Sequence, residues 1–228
     1  MAAKSSSLTV SRAFARPDSG LVDALRDAST GWVVDANGRR GALDYRIRPL
    51  TRAMRFIGVA LTVRSRACDN LAPYAALLFA KPGDVLVITA DAFEEASLVG
   101  DVLLGMARNA GVVALVTDGM VRDIDGLNAV GIPVFARGLS PNSPQKDGPG
   151  EIGVPVTLGG MIVSPGDIVL GDQDGVVVIA RDRAAAVAVA LKEVGAKEAR
   201  MDQWVRDGVK VPPWLDATLA EKGVHYLD

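Results

Sequence analysis

The chain has 228 residues, 49% hydrophobic but only 5% aromatic, with 25 Lys and Arg against 27 Asp and Glu for a formal charge of −2. No basic run stands out, so direct nucleic-acid binding is not expected, and no apolar run approaches the ~20 residues that span a bilayer. A single cysteine, Cys68, and a single histidine, His225, exclude an intramolecular disulfide, a cysteine zinc site and a multi-histidine metal site within one chain.

In chain order, Met1 to Gly20 is polar and lacks the apolar block of a signal peptide, which predicts a frayed start and a cytoplasmic protein. Ser19 to Asp27 reads as a short amphipathic helix, Arg55 to Arg64 as a buried strand, and Leu71 to Phe79 as apolar at helical spacing. Cys68, between them, reads as a small buried hydrophobe. A Pro-Gly turn, Lys81 to Asp84, feeds the β-branched strand Val85 to Thr89. After a polar linker, Ser97 to Ala110 is helix-like from about Gly100, with Val102, Leu103, Met106 and Ala110 on one apolar face. Gly111 ends that helix, and Val112 to Thr117 is a further buried strand. Strand, helix and strand in this order predict parallel pairing with a right-handed crossover. Asp118 to Leu127 reads as a second helix start, Ile132 to Gly138 as a third strand and Leu139 to Gly150 as a loop. Short strands with tight turns fill Val154 to Ala180, and Asp172-Gln173-Asp174-Gly175 reads as one of those turns. Arg181 to Trp204 is an Ala-rich helix, and the tail beyond it carries Trp214. The fold class expected is α/β: one layered domain over residues 1–228, with a mixed, partly parallel central sheet and a C-terminal helical arm from about residue 201.

Ligands of parallel α/β sheets bind beyond the carboxyl ends of the strands. Two such ends should face one crevice: the loop running from Thr89 to Gly100-Asp101, and Asp118 to Asp123. A helix N-terminus offers free N–H groups and partial positive charge, so Gly100, Asp101, Val102 and Leu103 could cradle a small carboxylate. Asp101 could instead merely cap its helix. Arg122 could clamp a carboxylate or keto oxygen and Asp123 could hold Mg²⁺, or the two could form an ordinary surface ion pair. With no other ligand chemistry available, a metal here would be hard, Mg²⁺ or Mn²⁺.

The string VGDVLLGMARNAGVVALVTDGMVRDIDGL, with an Asp, twenty intervening residues and then Arg-Asp, resembles the core of the 4-hydroxy-4-methyl-2-oxoglutarate aldolase family, which also contains regulators of ribonuclease E activity. CDN at 68–70, KPGDVLVI, PVFARG, PVTLGG and SPGDIVLGDQDGVVVI support the likeness. The resemblance implies a class II pyruvate aldolase with oxaloacetate decarboxylase activity. It implies that Asp123 binds the divalent metal and that Arg122 holds the substrate keto oxygen. It implies further that the amides of Gly100 to Leu103 hold a carboxylate and that Asp101 orients a water relaying protons. A glutamate from the next subunit completes the family's site, with Glu198 at the matching distance and Glu193 its rival, so a homotrimer or homohexamer is implied. The family's regulator branch lacks the acidic pair, which this sequence keeps. A protein-binding regulator of ribonuclease E is the alternative reading, and a Schiff-base aldolase would need a desolvated lysine among seven that all lie in turns or polar helices.

Overall fold

The computed structural model describes residues 8–227. The chain opens with β1 (Leu8–Val10), α1 (Ser19–Ala24), α2 (Thr30–Ala36) and β2 (Arg48–Pro49). Next come β3 (Phe56–Ser65), α3 (Leu71–Ala76), β4 (Asp84–Thr89), β5 (Ser97–Val99), α4 (Asp101–Asn109), β6 (Ala114–Thr117), β7 (Met120–Val121) and α5 (Ile124–Val130). They are followed by β8 (Val134–Ala136), β9 (Gly138–Leu139), β10 (Gly150–Ile152), β11 (Val156–Leu158), β12 (Met161–Val163), β13 (Ile168–Asp172) and β14 (Gly175–Ile179). A 3₁₀ turn at Arg181–Arg183 leads into α6 (Ala184–Arg206), and α7 (Leu215–Lys222) lies beyond it.

The main sheet runs β1-β10-β3-β4-β6-β8-β2, with β13 also on β3 and β14 on β13. Its centre, β3-β4-β6-β8, is parallel, while β10, β13 and β2 join antiparallel. The sheet is therefore mixed, as composition and strand order suggested. All six residues of β4 are buried, which explains its near-continuous apolar run. Its alternate residues feed two cores. Leu86 and Ile88 join Leu103, Leu104, Ala107 and Leu127 under α3, α4 and α5. Val85 and Val87 join Val116, Phe135, Val156, Leu158 and Val178 on the opposite face, beneath the β11–β12 hairpin. A third cluster, with Leu25, Val33, Ile168, Ile179 and Val187, seats α1, α2 and the start of α6 on β13 and β14.

Several expectations from sequence need correction. The helix α4 buries Leu103, Leu104 and Ala107, not the face through Val102, Leu103, Met106 and Ala110; Val102 and Met106 are 60% and 49% exposed. Both faces of that helix carry apolar residues, so spacing alone does not decide which one turns inward. The stretch Asp118 to Leu127 is not a helix start throughout, because β7 intervenes before α5. Cys68 is half-buried rather than buried, with left-handed backbone at φ 57°. The Asp172–Gly175 segment is the β13–β14 turn expected, with Asp172 accepting from the Thr30 amide and hydroxyl. Among the described residues, no helix is long and apolar enough to cross a membrane.

The feature that positions chemistry is a second, small sheet. Strands β5, β7 and β9 form a parallel three-stranded ladder. Each follows a strand of the main sheet: β4 leads to β5, β6 to β7 and β8 to β9. Backbone bonds extend the ladder past its ends, from the Arg122 amide to the Val99 carbonyl (3.0 Å) and from the Ser140 amide to the Val121 carbonyl (3.0 Å). The residues leaving β5 and β7 are thereby held in register, and they are Gly100-Asp101 and Arg122-Asp123.

Candidate active site

Asp118 anchors this arrangement from below. Its carboxylate accepts from the Thr89 hydroxyl (2.7 Å) and the Ala90 amide (3.0 Å), tying the end of β4 to the end of β6. Burial pushes the Asp118 carboxyl up from its ordinary range, against the lowering effect of those two hydrogen bonds. Asp118-Gly119 is thus more than a turn signature: the Asp118 side chain is buried structure.

Above it, one small cleft is lined by Gly100, Asp101, Val102, Leu103, Arg122 and Asp123. The structure therefore brings together six residues singled out from sequence. The remaining lining residues were not foreseen: Asn70 and Tyr74 from the start of α3, and Pro144 and Lys146 from the loop after β9. Loop residues carry no periodicity, and only the CDN triplet hinted at Asn70.

Each side chain has a defined posture. Asp123 is left-handed, at φ 62° and ψ 49°, and occupies the N-cap position of α5 without making a capping hydrogen bond. An aspartate tolerates that conformation better than most residues. Its carboxylate is 43% exposed and meets Arg122 Nε at 3.1 Å through Oδ2. Arg122 Nη1 donates to the Ser143 hydroxyl, so the guanidinium is braced on two sides and keeps other N–H groups for a ligand. Gly100 is extended, at φ −119°, and caps α4 with no side chain of its own. A β-carbon there would overlap Asp123 Oδ2 and sit 3.3 Å from Arg122 Nε. Glycine lets the Arg122-Asp123 pair lie directly over the helix entrance.

Asp101 is the first residue of α4, with Gly100 at the N-cap position. Its Oδ1 accepts from the Val102 amide at 2.7 Å. The Val102 amide is thus engaged by a side chain instead of being free for a ligand, while the amides of Asp101 and Leu103 have no partner within the helix. A β-carbon on Gly126 would overlap the Asp101 carboxylate, so α5 approaches α4 closely at this point and fixes that carboxylate at the cleft wall. Glu198 and Glu193 both lie on α6, which packs on α1 and α2, and neither lines the cleft. The cleft of a single chain is built without them.

The donor set suits a hard cation. Among the described residues no cluster of three or more Asp, Glu, His or Cys could hold a metal ion alone. Mg²⁺ and Mn²⁺ accept one or two carboxylates with the other positions left to water and substrate oxygens. Asp123, its carboxylate half-exposed at the cleft, fits that requirement.

The family model described as "RraA-like: Aldolase/RraA" matches residues 19–178. The chain belongs to the RraA-like family. A Halalkalibacterium halodurans protein, provisionally named a 4-hydroxy-4-methyl-2-oxoglutarate aldolase, is 35% identical over 189 residues, which are 83% of this chain and 90% of the relative. An uncharacterised Pseudomonas syringae protein of known structure is similar at 25% identity and TM-score 0.76, covering 86% of this chain and 97% of that one. The RNA-processing inhibitor RraA from Thermus thermophilis is similar at 29% identity and TM-score 0.63, with 67% and 93% covered. The RraA-like match spans every residue lining the cleft, and both structural neighbours share the mixed α/β architecture.

Proposed function

We propose that this RraA-like chain is a divalent-metal-dependent lyase that cleaves 4-hydroxy-2-oxo acids to pyruvate and a second oxo acid. Substrates of this class include 4-hydroxy-4-methyl-2-oxoglutarate and 4-carboxy-4-hydroxy-2-oxoadipate. The observation that carries the reading is the convergence of Asp101, Arg122 and Asp123 with the amide-bearing start of α4 in one cleft. The relative from Halalkalibacterium halodurans supports it.

Asp123 would hold Mg²⁺ or Mn²⁺, which would supply a positive charge near the keto and carboxylate oxygens as the bond breaks. The chain's own residues do the rest. The amides of Asp101 and Leu103 hold the pyruvyl carboxylate at the positive end of α4. Arg122 places N–H donors at the keto oxygen, where negative charge develops. The C3–C4 bond then breaks, its electron pair passes to the pyruvyl fragment as an enolate, and C4 becomes a carbonyl as its hydroxyl loses a proton. Asp101 orients a water that accepts this proton and later returns one to C3, completing pyruvate. Oxaloacetate would lose CO₂ through the same enolate. We place Glu198 of a neighbouring copy beside this water in a homotrimer or homohexamer.

The test is pyruvate release from a panel of 4-hydroxy-2-oxo acids and oxaloacetate, with Mg²⁺ and with chelator. Turnover that stops in EDTA and returns with Mg²⁺ is expected; full turnover in chelator, trapped by borohydride, would point to a Schiff base and sink the proposal. The second reading, a non-catalytic regulator, is favoured by the likeness to the Thermus RNA-processing inhibitor. It requires no turnover on any panel member and stable association with a ribonuclease.

A further inference from the structure

The Arg122-Asp123 pair borders two hollows, and the reaction above fills only one of them. The first is the cleft at the start of α4. The second is lined by Arg122, Asp123, Ile124, Leu139, Ser140 and Pro141. The small sheet explains the division. Its order is β5-β7-β9, and the pair leaves the central strand. Gly100-Asp101 leave β5 on one side of it, and Leu139 ends β9 on the other.

Beyond the pair, the side chains of the second hollow are aliphatic apart from one hydroxyl, and that hydroxyl is engaged. Ser140 donates its Oγ to the Glu95 carbonyl at 3.3 Å and its amide to the Val121 carbonyl at 3.0 Å. The Ile124 carbonyl accepts from Asn128 Nδ2 at 3.0 Å, and Pro141 has no N–H. What a ligand meets is Ile124, the Pro141 ring and Leu139, which is 50% exposed. This wall is preformed. Asn142 Nδ2 donates to the Glu95 carbonyl at 2.8 Å, and the Asn142 carbonyl accepts from the Ser97 amide at 3.0 Å. Further along the same loop, the amides of Asp147 (3.0 Å) and Gly148 (2.8 Å) donate to the fully buried Asp69.

A 2-oxo acid seated as above has its carboxylate on the amides of α4 and its keto oxygen at Arg122. Its chain therefore runs from the α4 side across the pair, and C4 emerges toward Ile124 and Leu139. A charged group entering there would lose hydration without gaining a partner, whereas burial of each methylene against aliphatic carbon is favourable. We propose that this second hollow is a subsite for the C4 end of the substrate, that it takes a short alkyl chain, and that Leu139 is its specificity-determining residue. The inference rests on the lyase reading and narrows it. Of the two substrates named above the subsite favours the 4-methyl one, and it favours longer 4-alkyl homologues over both.

The test measures calorimetric affinity, with Mn²⁺ present, for pyruvate, 2-oxopentanoate and 2-oxohexanoate, in the wild-type protein and in Leu139→Asn. Leu139 is the position to change because it is half-exposed, whereas Ile124 also packs on the core beneath α4 and α5. Affinity in the wild type is expected to rise along the series, 2-oxohexanoate exceeding pyruvate by about tenfold or more, since one fully buried methylene is worth about fourfold. In Leu139→Asn that ratio should fall to within about threefold of unity. Reading the ratio cancels any change in how the variant holds Mn²⁺ or the common carboxylate. A wild-type series that is flat or falls while pyruvate binds overturns the subsite alone, and needs no variant to do so. A rise that survives in Leu139→Asn also overturns it, because the chain then lies elsewhere. A wild type that binds no pyruvate overturns the lyase reading and the subsite with it.

Discussion

Replacing Asp123 separates its chemistry from its backbone, provided the replacement suits a left-handed residue. At φ 62° and ψ 49°, alanine would add roughly 1 kcal/mol of strain, so Asp123→Ala would confound loss of a ligand with loss of stability. Asparagine accepts this conformation as readily as aspartate, which makes Asp123→Asn the informative change. Its stability cost has two parts. The 3.1 Å contact with Arg122 joins partly exposed partners and contributes about 0–1 kcal/mol. A negative charge at the start of α5 contributes about 0.3–1 kcal/mol. At about 2–4 °C per kcal/mol for a chain of this size, the variant should melt no more than a few degrees below wild type, with Asp123→Ala lower again. Mn²⁺ binding should fall by more than about a hundredfold, since even residues that only support a ligand are worth 10–100-fold. Electron spin resonance of free Mn²⁺ reads this directly. If Asp123→Asn melts normally and binds Mn²⁺ within about threefold of wild type, Asp123 is no metal ligand and the proposed chemistry loses its centre.

Gly100→Ala should fold, because its backbone is extended, yet weaken Mn²⁺ binding at least tenfold by displacing Asp123 Oδ2; a variant with unaltered binding would show that the carboxylate has room to spare. Asp101→Asn should leave Mn²⁺ affinity near wild type but slow exchange of pyruvate methyl protons strongly, and NMR detection of wild-type exchange rates would remove Asp101 from the proton relay. Arg122→Lys keeps the charge and loses the planar paired donors, so KM should rise and kcat fall together in steady-state assays. Asp69 predicts an acid response: burial raises its carboxyl, but the amides of Leu71, Asp147 and Gly148 and the Arg66 charge lower it further, for a net depression. Its stabilisation is therefore complete above the unfolded carboxylate range and is lost as pH falls through the folded value. Protection factors for hydrogen exchange at Asp147 and Gly148, which are corrected for the intrinsic slowing of exchange in acid, should fall on acidification, and Asp69→Asn should remove that fall.

Much of this architecture was legible because the central strands are simple. Val85 to Thr89 and Val112 to Thr117 are buried on both faces, so their β-branched runs survive without alternation, and the helix between them begins at a glycine and ends at one. The strands β5, β7 and β9 were not legible. Two or three residues define no period, and they form a ladder only because three long-range partners arrive together. The α4 face was misassigned because Val102 and Met106 are as apolar as the residues that turn inward. Arg122 and Asp123 were marked by their pairing at a strand end, and the aldolase motif marked Asp101 with them. Lys146 carries no such marker and Asn70 only the CDN triplet: their proximity depends on Asp69 reaching amides almost eighty positions away.

Strand β3 holds a further consequence, for how the polypeptide is made. It is the hub of the main sheet, with β4 along one edge and two different strands sharing the other: Ile168 opposite Val59, and Gly150 opposite Ser65. During synthesis β4 can dock almost at once, but the second edge stays open until the ribosome has delivered the residues around Ile168. An exposed, strongly apolar edge invites pairing with another nascent chain. Chains stalled before β13 should accordingly aggregate, or be held by a chaperone, whereas chains released after Ile179 can close the sheet on themselves.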